Sequence, residues 1–307
     1  MLLYLQANRF VNRFHEERKT KLSLILDSER WKQTDVPVEF QDLVNSVDKG
    51  KTRTTLDQHA RITEKKPTEY LVVDGQKFAV VGTVLLLLKM VLEYCQCADD
   101  LPSATPDILT RLVELLKSCM VQLRQLYGVI ISCFFCAYPA LCSRCLQLMV
   151  HHLPIVEEHF RARLQHKQQP MLKSFQQVIK DYNDHIQEIA SKLIAIMDDM
   201  FEKSLAKWEA KAPMPSSTFR TICKQISKLH EAIVDLLPPE QIRVLFTRIN
   251  VSFKSHLQQQ LVRLNVTNDG GPQHGLVQSD VAFYSGHMQS LRDLADVDLH
   301  MQDIWDR

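Results

Sequence analysis

Glycine is scarce: the chain has eight in 307 residues, about 2.6% where roughly 7% is average. Folds built on many tight turns are starved of their turn residue, which argues against an all-β sandwich. Neither sign of charge is in excess, with 37 Lys and Arg against 36 Asp and Glu. No global field draws the chain to nucleic acid or anionic lipid, and any such contact is local. Asn8, Arg9 and Arg13 interrupt the opening leucines, so there is no signal-peptide pattern, and the sequons at Asn250 and Asn265 read as chance matches. The longest apolar runs stop well short of the ~20 residues that a bilayer requires. Gly-x-Gly-x-x-Gly, Walker and Gly-x-Ser-x-Gly sequences are all missing, and with them the phosphate cradles and nucleophile elbows they encode.

What remains is a chain that is 45% hydrophobic and 24% charged, globular and long enough for about two domains. Apolar spacing predicts a helix from Leu2 to about Asp27, carrying Leu5, Phe10, Phe14, Leu22, Ile25 and Leu26 around an exposed polar centre, His15 to Lys19. No capping residue precedes it, an opening expected of the C-terminal piece of a longer rod. A short helix over Val38–Val47 follows, then a polar stretch, 48–67, with too few large aliphatics to fold alone. Tyr70 to Val80 is the one β signal, two β-rich runs around Asp74-Gly75, a pair suited to a type I′ hairpin turn. Thr83 to Cys97 is so apolar that it reads as a buried central helix.

Helix then follows helix. Leu172, Phe175, Ile179, Tyr182, Ile186, Ile189, Leu193, Ile196 and Met200 alternate steps of three and four, the 3.5-residue period of a coiled-coil-like seam. Two further helices carry Phe219 to Leu236 and Ile242 to Leu264, and Asp269-Gly270-Gly271-Pro272 breaks the pattern. A last helix is expected from about Ser279, with Leu294, Leu299 and Trp305 folding back on the bundle.

Cys133-x₂-Cys136-x₅-Cys142-x₂-Cys145 has the ligand count of a tetrathiolate zinc site. Zinc ribbons separate the two pairs by about 15 to 20 residues rather than five, and Ile130, Phe134, Phe135 and Tyr138 would oppose the thiolates a metal needs. Buried, reduced cysteine is the preferred reading, as for Cys95, Cys97, Cys119 and Cys223. Asp181, His185 and Glu188 share one helix face at i, i+4 and i+7, read as solvated because no partnering Glu-x-x-His completes a di-metal site. His151-His152 and Glu157-Glu158-His159 do not form His-Glu-x-x-His. No catalytic, cofactor-binding or metal-ligating residue is therefore assigned, no cofactor or small-molecule substrate is expected, and without an aromatic-interleaved basic patch neither is nucleic acid.

Long stretches carry a resemblance: Gln6 to Leu22, Phe78 to Val84, Glu93 to Cys97, Asn268 to Pro272 and Asp280 to Tyr284. They resemble the C-terminal part of a subunit of the helical-rod tethering family, to which the Golgi-associated retrograde protein complex belongs. Between about Cys119 and Cys142 the chain departs from the family pattern, which resumes at Ser143, as a misassigned exon boundary would produce. The resemblance implies a non-enzymatic tether for retrograde transport from endosomes to the trans-Golgi network, working on the cytosolic face of those membranes. Its implied partners are sister subunits, SNARE proteins met through the complex, and the endosomal carrier membrane, bound peripherally. The family's N-terminal coiled coil, which assembles with the sister subunits, is not in this sequence. A helical module of another tether or adaptor is the alternative, followed by a zinc-binding helical protein. The expected fold is all-α, stacked antiparallel helical bundles with one small β-hairpin. Its expected divisions are the end of a rod or first bundle (1–47), a flexible linker or loop (48–67), a hairpin plus bundle (68–168) and a C-terminal bundle (169–307).

Overall fold

A computed structural model describes residues 2–48, 66–130 and 137–306. The polar stretch 48–67 lies almost wholly outside the described residues, as do Cys133 and Cys136. The chain divides into two compact units, one ending at Gln187 and one beginning at Glu188. Among the described residues the architecture is all-α with one two-stranded hairpin.

The first unit holds α1 (Leu2–Ser28), α2 (Val38–Asp48), strands β1 (Leu71–Val73) and β2 (Gln76–Phe78), α3 (Gly82–Asp100), α4 (Thr105–Ile130), α5 (Ala137–Arg161) and the start of α6 (Leu172–Leu205). The centre is α3, enclosed by α1, α4 and α5. Its leucine run leaves a narrow polar line, Lys89, Glu93, Gln96 and Asp100, toward the outside, as expected of a helix that is apolar nearly all round. In α1 the expected face is rotated. Val11, His15, Leu22 and Leu26 are buried while Phe10 is 54% exposed, so the polar centre is not solvated throughout: α4 and α3 both pack here and leave His15 no route to water.

The hairpin forms at the expected turn, with Asp74 and Gly75 both at positive φ and Leu71 opposite Phe78, the geometry of a type I′ connection. Two short strands cannot stand alone in water. Gln41 of α2 closes one edge, accepting from Val72 N (2.8 Å) and donating to Val72 O (2.7 Å), which satisfies backbone groups that a bare edge would expose. From α5 the buried Arg144 stacks on Phe78 (3.6 Å) and donates to Lys77 O (2.6 Å).

The second unit holds the rest of α6, α7 (Ser217–Ile233), α8 (Pro239–Arg263), α9 (Pro272–Ser290) and a 3-10 turn, Met301–Trp305. Its core is aromatic: Phe253 stacks on Tyr284 at 4.0 Å between centroids and meets Phe201 and Phe219 edge-on at 5.3 and 5.7 Å. Leu294 and Leu299 are buried as expected while Trp305 is only half-buried against His274, with Ile304 buried in its stead, so the C-terminal segment does fold back, and Lys254 holds it through Asp303 (2.8 Å) and the His300 carbonyl. The last helix begins at Pro272 rather than Ser279. Proline is preorganised for the first helical position, and Asp269 accepts from Gly271 N just before it at 2.8 Å. Apolar spacing, absent over 272–275, could not show this.

The α6 seam also differs from its sequence reading. The buried line runs Leu172, Phe175, Val178, Tyr182, His185, Ile189, Leu193, Met197, Phe201 and Leu205, with Ile179, Ile186 and Ile196 on the flank. That is the 3.6-residue period of a straight helix in a globular bundle, not the 3.5 of a supercoil. It corrects the reading of Asp181, His185 and Glu188 as one solvated face, because His185 is fully buried.

Candidate functional site

The residues that carry chemistry in the sequence are dispersed by the fold. Cys142 and Cys145 sit on the inner face of α5 beside a small void of about 20 Å³ that Cys119 and Tyr182 also line. Burial pushes the Cys119 and Cys145 thiols up to about 12 and Cys142 well above its usual value, the opposite of what a thiolate ligand needs. His152 bonds the Leu148 carbonyl (2.9 Å) and His159 the Cys95 carbonyl (3.1 Å). His151 lies 3.4 Å from Asp74, and Glu157 accepts from Gln176 (2.9 Å) and pairs with Arg161. Among the described residues no group of three His, Cys, Asp or Glu side chains could hold a metal ion, and no helix is long and apolar enough to cross a membrane.

The arrangement that is assembled, and that sequence reasoning missed, lies where α1 meets α3 and α4. Buried His15 meets the Tyr94 hydroxyl at 2.7 Å and lies 3.4 Å from Glu114. Glu114 is shared by Lys19 (2.8 Å) and Arg111 (2.9 Å), and Lys19 first, then Arg111, hold its carboxyl down at about 2. Burial lowers the His15 pKa and pushes the Tyr94 hydroxyl far up, so both are neutral at physiological pH. Arg18 pairs with Glu93 at 2.7 Å and lies 3.4 Å over the Phe14 ring. The sequence signal was a polar cluster at i, i+3 and i+4 inside an apolar helix, which resembles an exposed face until its partners, 75 to 95 residues away, are known.

Beside this network α1 and α3 enclose an open groove of about 630 Å³, lined by Gln6, Phe10, Phe14 and Arg18 on one wall and Glu93, Gln96, Cys97 and Asp100 on the other. A half-exposed aromatic pair, Phe10 and Phe14 with centroids 6.0 Å apart, and a guanidinium beside it are the residue types that anchor protein contacts. The arrangement positions apolar and charged groups for binding. Most of the lining falls in Gln6 to Leu22 and Glu93 to Cys97, the stretches that carry the family resemblance.

A family model described as Vps54-like protein matches residues 75–127 and 138–200. Human vacuolar protein sorting-associated protein 54 is 57% identical over 98% of this chain and 32% of its own length, and the Drosophila melanogaster protein is 35% identical over 99% and 33%. The chain belongs to the Vps54 family. A solved C-terminal domain of the Vps54 subunit of the GARP complex is 61% identical, covering 42% of this chain and 98% of its own, with a TM-score of 0.41. This chain spans about a third of the length of the curated Vps54 proteins it matches. The family match is interrupted at 128–137, a narrower interval than the departure expected over 119–142.

Proposed function

We propose that the chain serves, without catalysis, as part of a tethering subunit for retrograde transport from endosomes to the trans-Golgi network, on the cytosolic face of those membranes. The observation that carries this reading is identity to human Vps54 of 57% along 98% of the chain. The fold suits the role: within each unit helices enclose a continuous core and leave outward faces free for partners. In this reading 1–47 is the end of a rod or first bundle, 48–67 a linker or loop, 68–168 a hairpin plus bundle and 169–307 a C-terminal bundle. Sister subunits of the complex, SNARE proteins reached through it, and the endosomal carrier membrane are the partners. Proximity labelling from the tagged chain tests the proposal. Enrichment of the sister subunits and Golgi SNAREs is the expected result; labelling of unrelated cytosolic proteins alone would sink it and favour an adaptor outside trafficking.

A further inference from the structure

Charge is balanced over the whole chain, and the second unit carries slightly more acids than bases, yet its bases are not spread evenly. Between residues 203 and 230 stand Lys203, Lys207, Lys211, Arg220, Lys224 and Lys228 against the single acid Glu209. Lys203 and Lys211 are paired, with Asp199 and Glu209. Lys207, Arg220, Lys224 and Lys228 are exposed, and no described carboxylate pairs with them.

The fold turns part of this run into a row. Phe219, Ile222, Cys223, Ile226, Leu229, His230 and Ile233 of α7 face the core. Arg220, Lys224 and Lys228, four residues apart, lie within about 80° of arc on the opposite side, spread along about 12 Å of helix. Like charges at this spacing repel and destabilise a helix slightly, so the row has no explanation in the stability of α7. Only Glu231 is acidic in that helix. The row starts beside the 211–216 loop, where Pro213 is exposed and Met214 half-buried, and Arg220 donates to the Pro215 carbonyl at 3.0 Å.

We infer that the outward face of α7 is a contact surface for anionic phospholipid headgroups, with the Pro213-Met214 loop at its edge. This rests on the tethering reading for its biological setting and deepens it by naming the face that meets the carrier. The chemistry favours lipid over protein. Protein interfaces are depleted in lysine and centre on apolar or aromatic anchors, whereas this face has two flexible ammonium side chains, one guanidinium and no aromatic residue. Such side chains suit mobile headgroups that rearrange to meet them, and the absence of an aromatic platform disfavours single-stranded nucleic acid. Each Lys or Arg near an anionic leaflet multiplies partitioning by about fivefold.

The test is flotation of the full chain with phosphatidylcholine vesicles, with and without phosphatidylserine. Binding is expected only with phosphatidylserine and is expected to disappear in high salt, as screening shortens the reach of these charges. The triple variant Arg220→Gln, Lys224→Gln, Lys228→Gln should bind about a hundredfold more weakly at an unchanged melting temperature. A control variant, Lys173→Gln, Lys180→Gln, Arg248→Gln, loses as many exposed cations and should bind like the parent. Equal loss in the two variants would show generic charge attraction and overturn the assignment to α7. Failure of the parent chain to float with phosphatidylserine, or capture by poly-glutamate in place of vesicles, would overturn the lipid assignment. Because the vesicle result does not depend on proximity labelling, a chain that labels sister subunits but ignores vesicles refutes this inference and leaves the tethering proposal standing.

Discussion

Asp280 offers the sharpest test of how the second unit is held together. Its carboxylate is fully buried on α9 and accepts two hydrogen bonds, from the Trp208 indole nitrogen at 3.0 Å and from Ser216 N at 2.6 Å. It thereby joins the chain beyond α6 and the start of α7 to the last helix. Asp280→Ala leaves both donors buried without an acceptor, each costing about 1–3 kcal/mol, and adds a small cavity. A loss of about 3–5 kcal/mol is expected, a large part of the 5–15 kcal/mol typical of a domain. For a unit of this size the melting temperature should fall by about 10–20 °C. Asp280→Asn keeps one acceptor but turns an amide N–H₂ toward the other donor, so it should cost about half as much. Urea titration followed by tryptophan fluorescence measures this, since Trp208 is itself buried. In a double-mutant cycle with Trp208→Phe, followed by circular dichroism because that variant removes the fluorophore, a coupling of about 1–3 kcal/mol is expected. A loss below about 1 kcal/mol for Asp280→Ala, or no coupling, would refute the argument that this carboxylate satisfies otherwise orphaned donors.

Leu299 is buried, and its carbonyl accepts from Asn250 at 2.8 Å while Asn250 accepts from the Tyr284 hydroxyl at 3.1 Å. Leu299→Gln should destabilise by about 2–4 kcal/mol; an unchanged melting temperature would mean that the C-terminal segment contributes no stability. His15 and His159 have pKa values lowered mainly by burial, so below about pH 6.5 the unfolded chain takes up protons that the folded chain refuses. Their contribution to stability is complete above that pH and is lost as pH falls toward the folded values. The urea midpoint should therefore drop between about pH 7.5 and 5.5, and less so in His15→Phe; an equal drop in that variant would remove His15 from the account. Burial also raises the thiols of Cys95, Cys97, Cys119, Cys142, Cys145 and Cys223, with Cys97 at about 11. Mass mapping after brief alkylation of the native protein should find these six unmodified, whereas rapid labelling of Cys142 or Cys145 would contradict their placement in the core.

The amino-acid sequence by itself determined the fold class, the buried α3, the hairpin turn at Asp74-Gly75 and the return of the C-terminus, because each rests on a local rule. Scarce glycine and long apolar periods leave little besides helices, and a type I′ turn needs residues that tolerate positive φ. Tertiary structure decided what depends on partners distant in the chain. His15 and His185 look like solvated positions until the helices packed over them are known. The difference between a period of 3.5 and 3.6 in α6 is too small to read from a few isoleucines, yet it settles which residues are buried. Gln41 closes the hairpin edge through a side-chain amide, and Asp280 holds two donors from segments 64 and 72 residues away, pairings that no spacing rule encodes. The basic run from Lys203 to Lys228 was visible in the sequence but meant little there. Only the placement of Phe219, Ile226 and Ile233 against the core put Arg220, Lys224 and Lys228 together on one outward face, because a helix sorts its side chains by angle and the packing fixes which angle faces water.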